Sequence, residues 1–381
     1  MGNDDYVVPG FKVSAAAAGI KKDGSPDLAL IYSEREFTAA GVFTTNLVQA
    51  APVLVTREHL SGGTARAVVA NAGNANACNG PVGLRDARAT AALTADGLEI
   101  RAEEVLVAST GVIGLPLDMA RIERALPELV GTLSPKGLPD AAEAIMTSDS
   151  FPKLSSVRGE AGGEMYRIAG IAKGAGMIMP DMATMLSFIL TDVRISPGDL
   201  QTAVGRAVER SFNRITVDGD TSTNDTVLVL ASGLCGNSDL AGSDLAHFTE
   251  NLTGVMDELA RMIVRDGEGA TKVVDIRVRS ARSAADRVDL WIDQVQIVAE
   301  GVGLGKEAEE RAAEAMTGRA FTLSIDLHQG EYEDRVTTCD LTHEYVSINA
   351  DYRTCTELVG KTLRQSCGVL RGVRLDPASS R

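Results

Sequence analysis

Hydrophobic positions along this chain fall into two periods. Leu245, Phe248, Leu252, Val255, Met256, Leu259, Met262 and Ile263 recur at steps of three and four, the spacing of one apolar helix face, and predict a long helix that stops at Asp266 and Gly267. Leu200, Ala203, Val204, Ala207, Val208 and Phe212 predict a second. An alanine-rich run from Asp86 to Leu98 reads as a third helix, AAEAIMTSDS at 141–150 as a helix end, and KEAEERAAEAM at 306–316 as another helix. Period two appears in VVDIRVRS through Val274, Ile276 and Val278, and in FTLSIDLH through Phe321, Leu323, Ile325 and Leu327, which predicts strands. LALIYS, ARAVVANAGNANACNG and EEVLVASTGVIG read as strands running into Gly- and Asn-rich turns. Strands and helices therefore interleave, as in an α/β or α+β protein, with no internal repeat and no low-complexity linker.

One stretch departs from both periods. KGAGMIMPDMATMLSFILTD, residues 173–192, sets a lysine among small residues, adds a proline, and then opens an almost unbroken apolar run at Ala183 and Thr184. By itself an Ala-Thr pair is most simply the start of a strand. A threonine at this place has a second reading. Its hydroxyl is a weak nucleophile without an adjacent base, and a cut before Thr184 would supply one in the threonine's own α-amine. The reference pKa of that amine, about 7.7–8.0, suits general-base work near neutral pH.

Composition narrows the field. At 381 residues the chain exceeds the usual size of one core and predicts two domains or lobes. A formal net charge of −15 and no basic run argue against a nucleic-acid surface. The acidic N-terminus MGNDDYVVPG lacks the basic and apolar regions of a signal peptide, and no segment has the apolar length to cross a bilayer. Five scattered cysteines without a CxxC pair, and the dispersed His59, His247, His328 and His343, suit a reducing cytoplasm and offer no metal site. GVGLGKE at 301–307 lacks the glycine spacing and the hydroxyl of a phosphate loop. RDGEGATK at 265–272, taken alone, reads as a helix C-cap with a solvated Glu268.

Several ordered segments nevertheless resemble one family. GIAKGAGMIMPDMATML is similar to the signature of the ornithine acetyltransferases, the bifunctional glutamate N-acetyltransferases of arginine biosynthesis, and ASTGVIG, NAGNANACNG, MTSDS, DTSTNDT, DGEGATK and VSINADYRT resemble other family segments. The resemblance implies a layered fold of helices and mixed sheets like that of N-terminal nucleophile enzymes, autoprocessed after Ala183 into an α chain (1–183) and a β chain (184–381). It implies Thr184 as nucleophile, Thr110 and Gly111 as oxyanion hole, and Thr147, Lys173, Glu268, Asn349 and Thr354 as substrate contacts. Lys173, a cation, suits a substrate carboxylate, and Glu268 suits a substrate ammonium or proton movement. The implied reaction moves an acetyl group from N-acetylornithine to glutamate by a ping-pong route, with no cofactor or metal, acetyl-CoA being an alternative donor in some members. The implied assembly is two α and two β chains, working on small amino-acid substrates in the cytoplasm. The sequence departs from the family in lacking its K-T-A and D-P-N-W-G-R passage, several tens of residues, and in carrying an atypical tail from about 356 to 381. An amidohydrolase or aminopeptidase of the same nucleophile class, an acyltransferase of specialised metabolism with another amino-acid substrate, and an uncut non-catalytic homologue remain as alternatives.

Overall fold

The computed structural model describes residues 3–178, 185–218, 220–270, 272–279, 289–299, 302–303, 306–315, 320–326 and 333–338. In chain order it contains β1 (Lys12–Ala16), β2 (Leu28–Phe43), α1 (Ala51–His59), β3 (Thr64–Asn74), α2 (Gly80–Leu98), β4 (Val105–Val112), α3 (Met119–Gly131), α4 (Leu138–Ala144), β5 (Lys153–Ala161), β6 (Glu164–Lys173), β7 (Leu186–Thr191), α5 (Pro197–Glu209), β8 (Ile215–Thr216), β9 (Thr226–Ala231) and α6 (Gly242–Arg265). Then follow β10 (Val273–Arg279), β11 (Asp289–Ile292), β12 (Val295–Ala299), β13 (Val302–Gly303), α7 (Lys306–Ala315), β14 (Ala320–Asp326) and β15 (Glu333–Thr338). The strands and helices expected from the two periods are present, so the protein is of mixed α/β class. Phe212 falls outside α5, in the 3-10 turn after it, and Leu327 lies outside the described residues.

Two compact units divide these elements: residues 1–213 with 220–268, and 214–219 with 269–381. The first holds a sheet in the order β4-β3-β2-β9-β7-β6-β5, with β1 paired to β2 off that path. β3 and β4 are parallel, as are β7 and β9, and the other neighbours are antiparallel. β2 is the hinge of this sheet. Its residues Leu28–Tyr32 pair with β3, the register shifts between Tyr32 and Phe37, Phe37 and Thr38 pair with β3 again, and Thr38–Phe43 pair with β9. The break lets the sheet turn over on itself.

One apolar core fills the space between its halves. Ala29, Ile31, Val68, Ala70, Leu106 and Ala108 from one half pack with Ala169, Ile171, Phe188, Leu190, Leu228 and Leu230 from the other. On the outside of the first half, Leu30, Val69 and Val107 pack against Ala91 and Ala95 of α2 and Ile122 and Leu129 of α3. On the outside of the second, α6 lies against β5 and β6, where Gly170 makes room for Val255 and Leu259. Helices, sheet, sheet and helices are thus stacked in layers. β7 runs through the middle with all six residues buried, which explains why its sequence is mostly apolar rather than alternating.

The second unit carries a sheet in the order β13-β12-β11-β14-β10-β15-β8, with α7 against β12. Among the described residues Ile215, Val217, Val274, Ala312 and Leu323 are its buried apolar positions. The boundary between compact units falls near residue 268, and β7 lies between β6 and β9 of one sheet.

Candidate active site

The end of β4 is set by backbone packing. Leu106 and Ala108 face the interlayer core, and the period of two points Thr110 the same way; it is buried. Gly111 follows with φ +128°, and a Cβ built on it would lie 2.3 Å from the carbonyl carbon of Gly73 and 2.6 Å from the nitrogen of Asn74. Both are backbone atoms in the register shift between β3 and β4, so only glycine fits. Asn224 ties the region down, its Nδ2 donating to the carbonyls of Ala75 (2.6 Å) and Ser109 (2.9 Å).

The end of β6 is set by charge. Ala169 and Ile171 face the same core, and Lys173 comes next, 3% exposed. Its Nζ donates to Thr110 Oγ1 at 3.1 Å. In a flat sheet five strand spacings of about 4.8 Å would part β4 from β6. The doubled sheet removes that distance. Burial pulls the Lys173 ammonium below its ordinary pKa, against the opposing pull of the Asp149 carboxylate. Asp149 Oδ1 accepts from the N–H of Gly174 (2.6 Å) and from Lys153 Nζ (2.6 Å), and Oδ2 accepts from the N–H of Thr147 (3.0 Å). Burial is the largest influence on Asp149 and raises its pKa. Lys173, Lys153 and the hydrogen bonds outweigh it, and the carboxyl sits below the usual range. Lys153 also reaches Asp266 Oδ2 at 2.6 Å, in the cap residue of α6.

A third group stands at the head of β7. Asp225, fully buried, accepts the N–H of Met185 on Oδ1 at 2.7 Å, and the Ser222 hydroxyl also bonds its carboxyl. Among the described residues Oδ2 has no hydrogen-bond partner. Burial raises this carboxyl well above the ordinary value, only partly offset by Met185, Ser222 and Lys173. Sequence reasoning singled out the segment DTSTNDT around it but no residue. The available signal was an acid placed directly before the apolar strand TVLVLA.

Of the residues expected at the site, Thr110, Gly111, Thr147, Lys173 and Glu268 are described, and all five lie in the first unit. Thr110 and Lys173 touch. Thr147 is exposed and is joined to Gly174 through Asp149. Glu268 is exposed, just beyond the α6 cap; its N–H donates to the Ala175 carbonyl at 2.7 Å, and its carboxylate lies beside Gly176, where a Cβ would sit 2.8 Å from Cδ. Ala183, Thr184, Asn349 and Thr354 lie outside the described residues. Lys173 donates to the Thr110 hydroxyl, which by accepting from the ammonium keeps its own proton free to donate elsewhere. Such an arrangement, a donor hydroxyl beside a strand that follows a threonine, is suited to stabilising charge on an acyl oxygen.

Comparison with known proteins identifies the family. The ArgJ family model matches residues 12–287 and 283–354. The arginine biosynthesis bifunctional protein ArgJ of Geobacter sulfurreducens is 46% identical over 391 residues, covering 91% of this chain and 100% of that protein. The protein of the same name from Symbiobacterium thermophilum is 44% identical, covering 91% and 97%. The crystal structure of ornithine acetyltransferase complexed with ornithine from Mycobacterium tuberculosis is 40% identical over 46% of this chain and 93% of that chain, with a TM-score of 0.41. The alignment of 391 positions uses only 91% of this chain's 381 residues, so the Geobacter protein has several tens of positions that this chain lacks. Two family matches meeting at 283–287 put the gap there, downstream of every described site residue, and the tail after 354 lies beyond the match. The chain belongs to the ArgJ family.

Proposed function

We propose that the protein is a self-cleaving N-acetyltransferase that moves an acetyl group from N-acetylornithine to glutamate through an acetyl ester on Thr184. The observation that carries this reading is the contact between Thr110 and Lys173, the latter paired across β6 and β7 with Leu186, two residues after Thr184. In maturation, the Thr184 hydroxyl attacks the Ala183 carbonyl and the acyl group shifts from nitrogen to oxygen. Water then hydrolyses the ester, leaving a carboxylate on Ala183 and a free α-amine on Thr184.

In transfer, the α-amine takes the hydroxyl proton while Oγ attacks the acetyl carbonyl of the donor. The hydroxyl of Thr110 and the N–H of Gly111 hold the oxyanion, and the Lys173 ammonium strengthens Thr110 as a donor. The carbon–nitrogen bond breaks, ornithine leaves with the proton, and the amine of glutamate attacks the acetyl-enzyme in reverse sequence. Thr147, Glu268, Asn349 and Thr354 bind the amino acids. Thr110, Gly111, Lys173, Thr147 and Glu268 all survive in a chain shortened at 283–287, which supports retained transfer. The active assembly is two α and two β chains in the cytoplasm.

Denaturing electrophoresis of purified protein should give pieces of 183 and 198 residues, the second beginning TMLSFIL, and Thr184→Ala should stay at 40.0 kDa. A wild type that remains one intact band on ageing would overturn the self-cleavage. Incubation with N-acetylornithine should then add one acetyl mass to the smaller-numbered end of the β chain, released by glutamate. Release by water alone at the same rate would make the protein a hydrolase instead.

A further inference from the structure

Lys153, at the first position of β5, makes no contact with Thr110 or with Met185, yet it is the most enclosed cation among the described residues: 0% of the residue is exposed. Its three ammonium hydrogens are all engaged, by Asp149 Oδ1 at 2.6 Å, Asp266 Oδ2 at 2.6 Å and the Phe151 carbonyl at 3.4 Å, with the charge 4.9 Å from the Phe151 ring centre. No hydrogen is left for a substrate.

The two carboxylates carry the connection outward. Asp149 holds the N–H of Gly174, next to Lys173, and the N–H of Thr147. Asp266 Oδ2 accepts the N–H of Ser150 at 2.9 Å and stands two residues before Glu268. Three segments far apart in sequence, 147–150, 173–174 and 266–268, therefore converge on one ammonium. Replacing a buried ion triad by apolar side chains is often neutral or favourable for stability, so a triad kept here is better explained by the register it enforces.

We infer that Lys153 is a positioning residue: through Asp149 and Asp266 it fixes the Thr147 turn, the Lys173 strand end and the Glu268 loop relative to one another. In calling those segments a substrate rim the inference rests on the proposed acetyl transfer. Its geometric content does not.

The test uses two variants of the full chain and amide hydrogen exchange read by mass spectrometry, with the β7 peptide 186–191 as internal control. The triple variant Asp149→Asn/Lys153→Met/Asp266→Asn removes the three charges of the triad and leaves only the Lys173 ammonium without its Asp149 carboxylate. It should exchange at least about tenfold faster in peptides 146–151, 172–176 and 265–270 while 186–191 is unchanged. On the cut enzyme its KM for N-acetylornithine should rise about tenfold or more, with kcat within about threefold. Asp266→Ala should loosen only Ser150 and 265–270, because Asp149 still holds Thr147 and Gly174. Wild-type protection in all three peptides overturns the inference. So does faster exchange that includes β7, or failure of both variants to fold, either of which makes Lys153 a stability residue only. If the wild type transfers no acetyl group, the functional reading fails and the exchange arm still decides the positioning.

Discussion

Two strand ends meet at the Thr110–Lys173 hydrogen bond, and they are held by different physics. At the end of β4 the restraint is steric: Gly111 packs its Cα against the backbone of Gly73 and Asn74, with no charged group involved. At the end of β6 it is electrostatic: Asp149 gathers the N–H groups of Gly174 and Thr147 while Lys153 and Lys173 neutralise it. A steric restraint fails all at once when a side chain is added and is indifferent to pH. An electrostatic one weakens by degrees as its groups titrate. The protein thus holds the end of β4 with a part that cannot be retuned and the end of β6 with one that can.

The largest expected effect falls on the steric side. Gly111→Ala forces a Cβ onto backbone at a φ that disfavours it and should cost about 3 kcal/mol or more. Urea denaturation at several pH values should show the same loss at each. A loss that varied with pH would break the contrast.

Asp149→Asn should cost roughly 3 kcal/mol at neutral pH, by leaving two buried ammonium groups without their shared carboxylate. Here the sign of the pH dependence is fixed. A carboxyl whose folded pKa is lowered adds stability above its unfolded value of about 3.9, and that stability is lost as pH falls through the folded value. The difference between wild type and variant should therefore close on acidification below about pH 4. A gap of constant size between pH 7 and pH 3 would mean Asp149 acts as a steric part too.

Gly176→Ala should change least. Its Cβ meets only the end of the Glu268 side chain, which can swing away, so the melting temperature should stay close to wild type. Displacing that carboxylate should still cost about 1 kcal/mol of substrate binding, roughly fivefold in KM. An unchanged KM would remove Glu268 from the substrate rim.

Much of this was legible in the chain. The α6 stripe from Phe248 to Ile263 and its stop at Asp266 follow from helical spacing alone, and the strands around LALIYS, ARAVVA and EEVLVAS follow from apolar runs bounded by turn residues. Thr110, Gly111, Lys173, Thr147 and Glu268 were legible as members of motifs. Asp225 and Lys153 were not. A buried acid or lysine reads in sequence as a surface charge, since burial depends on which strands come to cover it. The role of Lys173 was legible as a cation but not as the partner of a hydroxyl five strands away.

The sequence by itself determined which segments are helices and strands and the family to which the chain belongs, because these depend on local spacing and on residue identity. Only the tertiary structure decided that β2 breaks and folds the sheet over, which brings β4 to β6 and sets Lys173 against Thr110. It also decided that Asp149, Lys153 and Asp266 share one buried site. Those contacts join residues 63 and 113 positions apart. Their energies come from desolvation and close approach, which no local pattern encodes.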